Sequence, residues 1–366
     1  MSKHAVIMAG GTGGHIYPAL AVAEELKNQD FTVSWLGTRR GLESQLVPKA
    51  GIEIDYIDVE GVRGKGKTAL MRAPFVLSKA VAQARSAIKQ RNASVVLGFG
   101  GFVAGPGGVA AKLAGLPLII HEQNAVAGTT NKLLAKIATT VFTAFPNVFT
   151  GARVVGNPVR KAISQLPAPS LRLACAESTD SLQLLVLGGS LGAAAINELV
   201  PAALAVLRAN LDVSIHVVHQ CGGKNVEQTK AAYADNGITL DDTVVVQPFV
   251  DDMAAAYGKA HFIVCRAGAL TVAEIAAAGC ASLMVPFPHA IDDHQTANAQ
   301  WLVEQGAAHL CQQKDLTVAR LVEELSTAAQ QRTKILTMAE NARLQAKTDA
   351  AEQVAQECVE VLSRGR

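Results

Sequence analysis

The chain has 366 residues, enough for two domains, and its net charge of +2 indicates no general affinity for nucleic acid. Hydrophobic residues make up 49% and aromatic residues 4% of it, a composition typical of parallel sheets covered by helices. The six cysteines form no C-x-x-C pair, and no apolar run reaches the roughly 18 residues of a membrane span. We therefore expect a soluble intracellular protein with reduced thiols, no zinc site and no signal peptide.

A strand, a glycine loop and a helix are predicted at the N-terminus. Ala5–Ala9 is apolar and β-branched, Gly10–Gly14 follows, and a helix runs from about Ile16 to Leu26. Glycines let the backbone approach a phosphate or a sugar closely. Ile16 stands where a dinucleotide fingerprint has its third glycine, and the second strand, about Val33–Leu36, ends in Gly37-Thr38-Arg39 without the acidic residue that would hold an NAD ribose. This pattern argues against a dehydrogenase.

His15 lies where the first glycine loop meets its helix. In a ligand site it would be a candidate general base, because its ordinary pKa is close to neutral pH. The alternative is a histidine that only packs or caps at this position.

A basic stretch with apolar residues follows between Val62 and Gln90. This combination is typical of a protein that rests on an anionic membrane, and equally of an amphipathic helix packed on its own domain. The residues that define the candidate membrane patch are Arg63, Lys65, Lys67, Leu70, Met71, Arg72 and Phe75.

Two further segments of the first half carry candidate ligand contacts. The glycine-rich run Gly98–Gly108, which includes Gly101 and Gly105, would let the backbone wrap a ligand. The strand Leu118–Ile120 ends in His121-Glu122-Gln123-Asn124, and polar residues at such a strand end face the ligand crevice of α/β proteins. The alternative for His121 is a structural role, in which neighbouring residues hold its side chain in place.

The pattern restarts after a linker, Lys161 to about Ser181. A strand at Leu184–Leu187 leads into the second glycine loop, Gly188–Gly192, and a helix from about Ala193. We expect two Rossmann-like domains with parallel sheets facing across a cleft. Further strands are predicted at about Val213–Val218, Val244–Gln247, His261–Cys265, Ser282–Val285 and Ala308–Cys311.

The helical stretch from about Val318 to Ser363 has no strand after it, so it can cross back to the first domain. The predicted domains are therefore residues 1–160 with 345–366, and residues 161–344.

The segment Cys265–Gly279 is the strongest candidate site. A strand is predicted to end at Cys265, and a small-residue helix runs from about Leu270 to Ala278, closed by Gly279. The N-terminus of such a helix offers backbone N–H groups and a positive dipole end to a phosphate. Glu274, one turn further on, could accept hydrogen bonds from two ribose hydroxyls. The alternative is a well-capped junction with Glu274 on the surface.

The ordered series of motifs closely resembles the MurG family of bacterial peptidoglycan N-acetylglucosaminyltransferases, which have the GT-B fold. The resemblance covers nearly the whole chain and rests on Gly10–His15, Gly98–Gly108, His121–Asn124, Gly156–Arg160, Gly188–Ser190, Asp251–Met253 and Arg266–Glu274. It implies inverting transfer of N-acetylglucosamine from UDP-N-acetylglucosamine to the 4-hydroxyl of an undecaprenyl-diphosphate-linked MurNAc-pentapeptide, giving lipid II. It also implies a peripheral location on the cytoplasmic, anionic face of the inner membrane, with other cell-wall synthesis proteins as candidate partners.

The resemblance assigns roles to individual residues. His15 would be the base, Glu274 would bind the ribose, and the backbone at Val250 would read the uracil edge. Gly101, Gly105, His121 and Glu122 are candidates for the acceptor side or the cleft. The other donor contacts it implies are Thr12, Gly13 and Gly14 from the acceptor side, Asn124 and Gln295 at the sugar, Arg160 and Ser190 at the diphosphate, and the helix start Ala269, Leu270, Thr271, Val272 and Ala273.

No cofactor or metal site is expected, because Asp251-Asp252 and Asp292-Asp293 are adjacent pairs of the kind found in caps and loops. A helix N-terminus with one arginine can stabilise a departing UDP as a divalent cation would. Three alternatives remain at this point: a UDP-N-acetylglucosamine 2-epimerase, a glycosyl-diacylglycerol synthase, and a nucleotide-sugar-binding regulator without a base.

Overall fold

The computed structural model describes residues 3–59, 66–174 and 181–364. The chain divides into two compact units: Met1–Arg160 with Lys347–Arg366, and Lys161–Ala346. The first unit therefore contains both ends of the chain, and the second is formed by the segment between them.

The first unit is built on a seven-stranded sheet in which every paired strand is parallel, in the order β3-β2-β1-β4-β5-β6-β7. Its central strands are apolar runs buried along their whole length, as expected for a sheet covered on both faces. The strands are β1 His4–Ala9, β2 Thr32–Gly37, β3 Glu53–Tyr56, β4 Val95–Gly100, β5 Leu118–Glu122, β6 Thr140–Thr143 and β7 Arg153–Val154.

Among its described residues, the first unit has the helices α1 Gly13–Asn28, α2 Glu43–Lys49, α3 Gly66–Gln90, α4 Ala104–Leu113, α5 Thr129–Leu134 and the C-terminal α15 Ala350–Arg364. The helix α15 buries Val354, Ala355 and Cys358 in the same core as Ile7 of β1. Its Glu357 accepts hydrogen bonds from Thr140 and Arg153, on the last two strands of the sheet. The C-terminal helix α15 is thus part of the same core as the N-terminal strand β1.

The second unit has a six-stranded parallel sheet in the order β10-β9-β8-β11-β12-β13, the strand order of a Rossmann fold. Its strands are β8 Ser181–Leu187, β9 Ser214–Gln220, β10 Val244–Gln247, β11 Phe262–Cys265, β12 Ala281–Met284 and β13 His309–Leu310. Its helices are α6 Lys161–Ser164, α7 Pro169–Ala174, α8 Ala194–Asn210, α9 Val226–Asp235, α10 Met253–Lys259, α11 Ala269–Ala278, α12 His294–Val303, α13 Val318–Gln330 and α14 Arg332–Leu344. Two short 3-10 turns lie at Ile291–Asp293 and Gln313–Asp315.

The structure resolves two predicted segments into shorter helices. The helical stretch predicted at Val318–Ser363 forms α13, α14 and α15, with a non-helical backbone at Gln331 between the first two. The predicted linker contains α6 and α7, and Arg172 of α7 donates hydrogen bonds to the carbonyls of Ala278 and Gly279 at the end of α11. The first part of the second unit is therefore anchored to the helix of the candidate site.

Candidate functional site

The turn between β11 and α11 presents backbone N–H groups at the carboxyl end of the second sheet. Gly268 precedes the helix without a capping side chain, and the first helical hydrogen bond runs from the Val272 N–H to the Gly268 carbonyl (3.0 Å). The N–H groups of Ala269, Leu270 and Thr271 therefore precede that bond. At the other end, Gly279 has φ +65°, which a C-cap glycine tolerates. The predicted strand–turn–helix geometry is confirmed.

Glu274 lies in the second turn of α11 and is 4% exposed. The hydroxyl of Tyr257, on α10 and itself fully buried, donates a hydrogen bond to Glu274 Oε2 (3.2 Å). The alternative of a surface glutamate is therefore wrong. A buried carboxylate held from one side by a phenol is fixed in position, as a hydrogen-bond acceptor for ligand hydroxyls must be.

The remaining predicted contacts of α11 separate into two groups. Val272 is fully buried and its N–H is used within the helix, so it supports α11 rather than facing solvent. Leu270, Thr271 and Ala273 are partly exposed.

Gln220 is a side chain that holds the second glycine loop and that sequence reasoning missed. Gln220, at the end of β9, accepts a hydrogen bond from the Gly189 N–H (2.9 Å) and donates to the Gly189 carbonyl (3.0 Å). Its amide also donates to the Pro248 carbonyl (2.8 Å), two residues before Val250. The structure thus joins the loop of exposed Ser190 to the segment of Val250 through a shared partner.

Gln295 lies in the first turn of α12, where its Oε1 accepts a hydrogen bond from the Phe287 N–H (2.9 Å). The side-chain oxygen of Gln295 is thus used within the second unit. Further along α12, buried Asn298 donates to the Ala267 carbonyl (3.2 Å) in the turn before α11. The two helices of the predicted donor site are therefore linked directly.

In the first unit, α1 begins at Gly13, so His15 lies in its first turn. His15 Nδ1 donates a hydrogen bond to the Gly10 carbonyl (3.2 Å). A Cβ on Gly100, at the end of β4, would lie 3.1 Å from the ring, and one on Gly101 would lie 2.3 Å from the Gly10 oxygen. The two glycine-rich segments thus pack against each other around His15, and both glycines have positive φ.

His121 and Glu122 are buried inside the first unit, at 1% and 2% exposure. His121 Nε2 donates to the Gly156 carbonyl (2.8 Å), and Gln123 Nε2 donates to His121 Nδ1 (3.3 Å). Burial lowers the pKa of His121 to about 4, so the ring is neutral at pH 7. This geometry favours the structural alternative for His121.

Glu122 organises the loop that carries Asn124. Its Oε1 accepts from the Asn124 N–H (3.0 Å) and side chain (3.2 Å), and its Oε2 accepts from Gly128 and Asn131. Glu122 therefore fixes the position of Asn124 rather than facing a ligand itself.

Arg160 closes the first segment of this unit with its guanidinium 5.1 Å from the centre of the Tyr17 ring on α1. Since Tyr17 follows His15 by two residues, the cation lies beside the first turn of α1.

Gly105 lies in α4, where a Cβ would contact Thr130 at 3.6 Å. Thr12, the residue before α1, is exposed and provides no side-chain cap.

Part of the membrane patch can be located. Arg63 and Lys65 lie outside the described residues, and α3 contains Lys67, Leu70, Met71 and Arg72, whose side chains are likewise outside the description. Phe75 is 84% exposed. Its neighbours Val76 and Leu77, apolar residues of the same basic stretch, are also exposed.

In the described ranges, no three His, Cys, Asp or Glu side chains are grouped in a way that could hold a metal ion. Asp252 caps α10 by accepting from the Ala255 N–H (2.9 Å). Asp292 and Asp293 both have left-handed backbones before α12. None of the described helices has the length and apolar composition needed to cross a bilayer.

The chain has two α/β units, each with a parallel sheet and with a glycine loop between its first strand and first helix. This architecture is that of the GT-B class of glycosyltransferases. Family models agree with this class: the glycosyltransferase family 28 N-terminal domain matches residues 5–143, and its C-terminal domain matches residues 183–354. The chain belongs to glycosyltransferase family 28.

Individual relatives extend over the same length. An Aeromonas hydrophila protein named UDP-N-acetylglucosamine--N-acetylmuramyl-(pentapeptide) pyrophosphoryl-undecaprenol N-acetylglucosamine transferase is 52% identical, over 98% of this chain and 97% of that protein. A crystal structure of Acinetobacter baumannii MurG has a TM-score of 0.82 and 45% identity, covering 98% of this chain and 99% of that one. A UDP-N-acetylglucosamine 2-epimerase structure has a TM-score of 0.66 at 15% identity, covering 100% and 98%, which indicates a shared fold alone.

Proposed function

We propose that this chain transfers N-acetylglucosamine from UDP-N-acetylglucosamine to the 4-hydroxyl of undecaprenyl-diphosphate-linked MurNAc-pentapeptide, forming lipid II. The observation that carries the proposal is 52% identity over nearly the full length of a relative named for this reaction. The order of glycine loops, His15 and Glu274 in the two units supports it, since each has a geometry suited to its assigned role.

In the proposed donor site, the second unit holds UDP. The Glu274 carboxylate accepts hydrogen bonds from the ribose hydroxyls, and the N–H groups that open α11 donate to the diphosphate. Ser190 adds a contact to the phosphates, and Gln295 contacts the sugar. We expect no divalent cation to be required, because the positive end of α11 stabilises the charge that develops on UDP.

In the proposed reaction, His15 removes the proton from the acceptor 4-hydroxyl. The oxygen attacks the anomeric carbon on the face opposite UDP, the bond to the phosphate oxygen breaks, and UDP leaves with the electron pair. The contact with Gly10 prepares the imidazole to act as this base. Because a carbonyl oxygen only accepts, the ring proton lies on Nδ1 and the Nε2 lone pair is the proton acceptor.

We further propose that the protein binds the anionic cytoplasmic face of the membrane through the first half of α3. The lipid-linked acceptor is located in that membrane. Phe75, Val76 and Leu77 are exposed there, while Ala80, Ala84 and Ile88 of the second half are buried in the core with α4. Exposed apolar side chains in a segment whose sequence is also basic suit a bilayer surface.

The test is to incubate the protein with labelled UDP-N-acetylglucosamine and a short-chain lipid-linked MurNAc-pentapeptide, and to identify the labelled product by mass. The proposal predicts a lipid-linked disaccharide that forms only with the acceptor. An epimerised nucleotide sugar without acceptor would contradict it, as would donor binding with no turnover, which is the behaviour of a regulator. A diacylglycerol glycoside in place of the disaccharide would identify a different acceptor.

A further inference from the structure

Glu43 is a fully buried carboxylate in the first unit, at the first residue of α2. Its Oε1 accepts hydrogen bonds from the Thr38 N–H (2.9 Å) and the Thr38 hydroxyl (2.8 Å), and its Oε2 accepts from the Gly11 N–H (3.1 Å). Three donors from two separate loops thus converge on one carboxylate. Burial of a charge costs free energy unless hydrogen bonds compensate for it, and this arrangement supplies them.

The surrounding backbone leaves space for this carboxylate. A Cβ on Gly41 would lie 2.0 Å from Glu43 Oε2, one on Gly37 would lie 2.9 Å from its Cγ, and one on Gly10 would lie 3.0 Å from Oε1. Three glycines therefore surround the side chain, and a larger residue at Gly41 would displace it. Only Gly10 of the three belongs to the first glycine loop.

Glu43 connects to His15 through two adjacent residues of that loop. It holds the N–H of Gly11, whose φ of +92° is a conformation that side chains other than glycine rarely adopt. The preceding residue, Gly10, directs its carbonyl to His15 Nδ1. Because Gly10 and Gly11 share a peptide group, fixing the Gly11 N–H also fixes the orientation of the Gly10 carbonyl.

We propose that Glu43 is a positioning residue for the transfer reaction: it clamps the peptide between Gly10 and Gly11 so that the Gly10 carbonyl holds His15 in the Nδ1–H tautomer. The proposal rests on the proposed function in one respect, the role of His15 as base. Glu43 itself contacts neither His15 nor a substrate in this scheme. Its carboxylate is required because every one of its partners is a donor.

The first test is the Glu43→Gln variant, read out by nitrogen-15 NMR of labelled histidine side chains, with the His15 signals assigned by their loss in His15→Ala. In this variant the side-chain NH2 group must face the N–H of either Thr38 or Gly11. Two donors then face each other, and one of the hydrogen bonds is lost. We expect the wild-type protein to show the Nδ1–H tautomer and Glu43→Gln to show a mixture of tautomers. We also expect kcat to fall about 10- to 100-fold with an unchanged Kd for UDP-N-acetylglucosamine.

Glu324→Gln is the matched control, because Glu324 is a buried helical carboxylate of the second unit, hydrogen-bonded to His309 and Arg320. It should lower stability while leaving the His15 tautomer and kcat unchanged. Gly101→Ala is a second route to the same effect, since its Cβ would displace the Gly10 carbonyl while Glu43 remains intact.

An unchanged His15 tautomer in Glu43→Gln would overturn the proposal, as would an equal loss of kcat in Glu324→Gln. The base assignment has a separate test, because retention of kcat by His15→Ala would contradict the role of His15 while the tautomer measurement still decides the role of Glu43.

Discussion

Glu274 combines two properties at the scale of a single residue: it is buried, and the Tyr257 hydroxyl holds one of its oxygens. In the proposed donor complex it accepts from ribose hydroxyls, which are desolvated there. Glu274→Ala should therefore weaken the binding of UDP-N-acetylglucosamine by about 1–3 kcal/mol, roughly 5- to 150-fold in Kd, measured by calorimetry. Glu324→Ala, a second buried helical glutamate of the same unit, is the control and should leave Kd unchanged. Equal affinity in wild type and Glu274→Ala would remove Glu274 from the ribose site.

For His15 we expect a change in the rate of reaction and not in the affinity for the donor. Loss of a general base lowers the rate of the chemical step by about 10²- to 10⁴-fold, so His15→Ala should lower kcat by that factor with an unchanged donor Kd. Steady-state UDP release with saturating acceptor measures the first quantity, and calorimetry measures the second. A decrease of less than about tenfold would mean that another group takes the proton.

The residues of the candidate site differ in how far they could be predicted from sequence. His15, Ser190 and Glu274 could be proposed as site residues because each lies within a local strand–glycine–helix pattern. Their supporting side chains were missed for a physical reason: Tyr257 precedes Glu274 by 17 residues, Gln220 follows Gly189 by 31, and Glu43 follows Gly11 by 32. Such partners come together only when strands pair and helices pack, which local patterns do not encode.

The same distinction holds for whole elements. The central strands of both sheets were predicted to within a few residues, because they are buried on both faces and read as continuous apolar runs. The strands β3, β6 and β7 were missed. β3 and β7 are the edges of the first sheet, their residues are largely exposed or partly exposed, and Glu53 and Asp55 of β3 form ion pairs with Arg91 instead of entering the core.

At the scale of a secondary-structure element, we predict that helix α3 contributes to membrane binding. Replacement of Phe75 and Leu77 by serine removes two exposed apolar side chains, and each would gain about 1.5–3 kcal/mol if it were fully buried in a membrane. We expect the double variant to bind vesicles of anionic phosphatidylglycerol at least about tenfold more weakly than wild type, measured by cosedimentation.

Leu344→Ser is the control for this experiment, because Leu344 is 79% exposed at the end of α14 in the second unit. It should bind vesicles as the wild type does. Equal vesicle binding by the α3 double variant would instead make the first half of α3 an ordinary surface helix.

At the scale of the whole molecule, we expect three of the buried histidines in the described ranges to make stability depend on pH. Burial is the main cause that lowers the pKa of His121 and His261 to about 4 and that of His219 to about 3, whereas an unfolded histidine titrates near 6.5. As the pH falls below about 6.5, the unfolded chain therefore binds more protons than the folded one. The free energy of unfolding should decrease between pH 6.5 and about 4, by up to about 1.4 kcal/mol per pH unit for each histidine.

Thermal unfolding followed from pH 7 to pH 4.5 measures this dependence. His219→Asn is the informative variant, because buried His219 is hydrogen-bonded to Tyr233 and Asn197, and asparagine cannot take up its proton. We expect a lower Tm at pH 7 but a weaker decrease of Tm with acid. An identical decrease in the variant would contradict the contribution of His219.

The central claim is that this chain catalyses an acceptor-dependent glycosyl transfer with its own side chains and helix dipole. The most direct measurement is the rate of UDP release from UDP-N-acetylglucosamine in the presence of EDTA, with and without a short-chain lipid-linked MurNAc-pentapeptide. The account predicts release that requires the acceptor and is unaffected by EDTA. Release without acceptor at the same rate, or its loss on addition of EDTA with recovery on addition of magnesium, would contradict it.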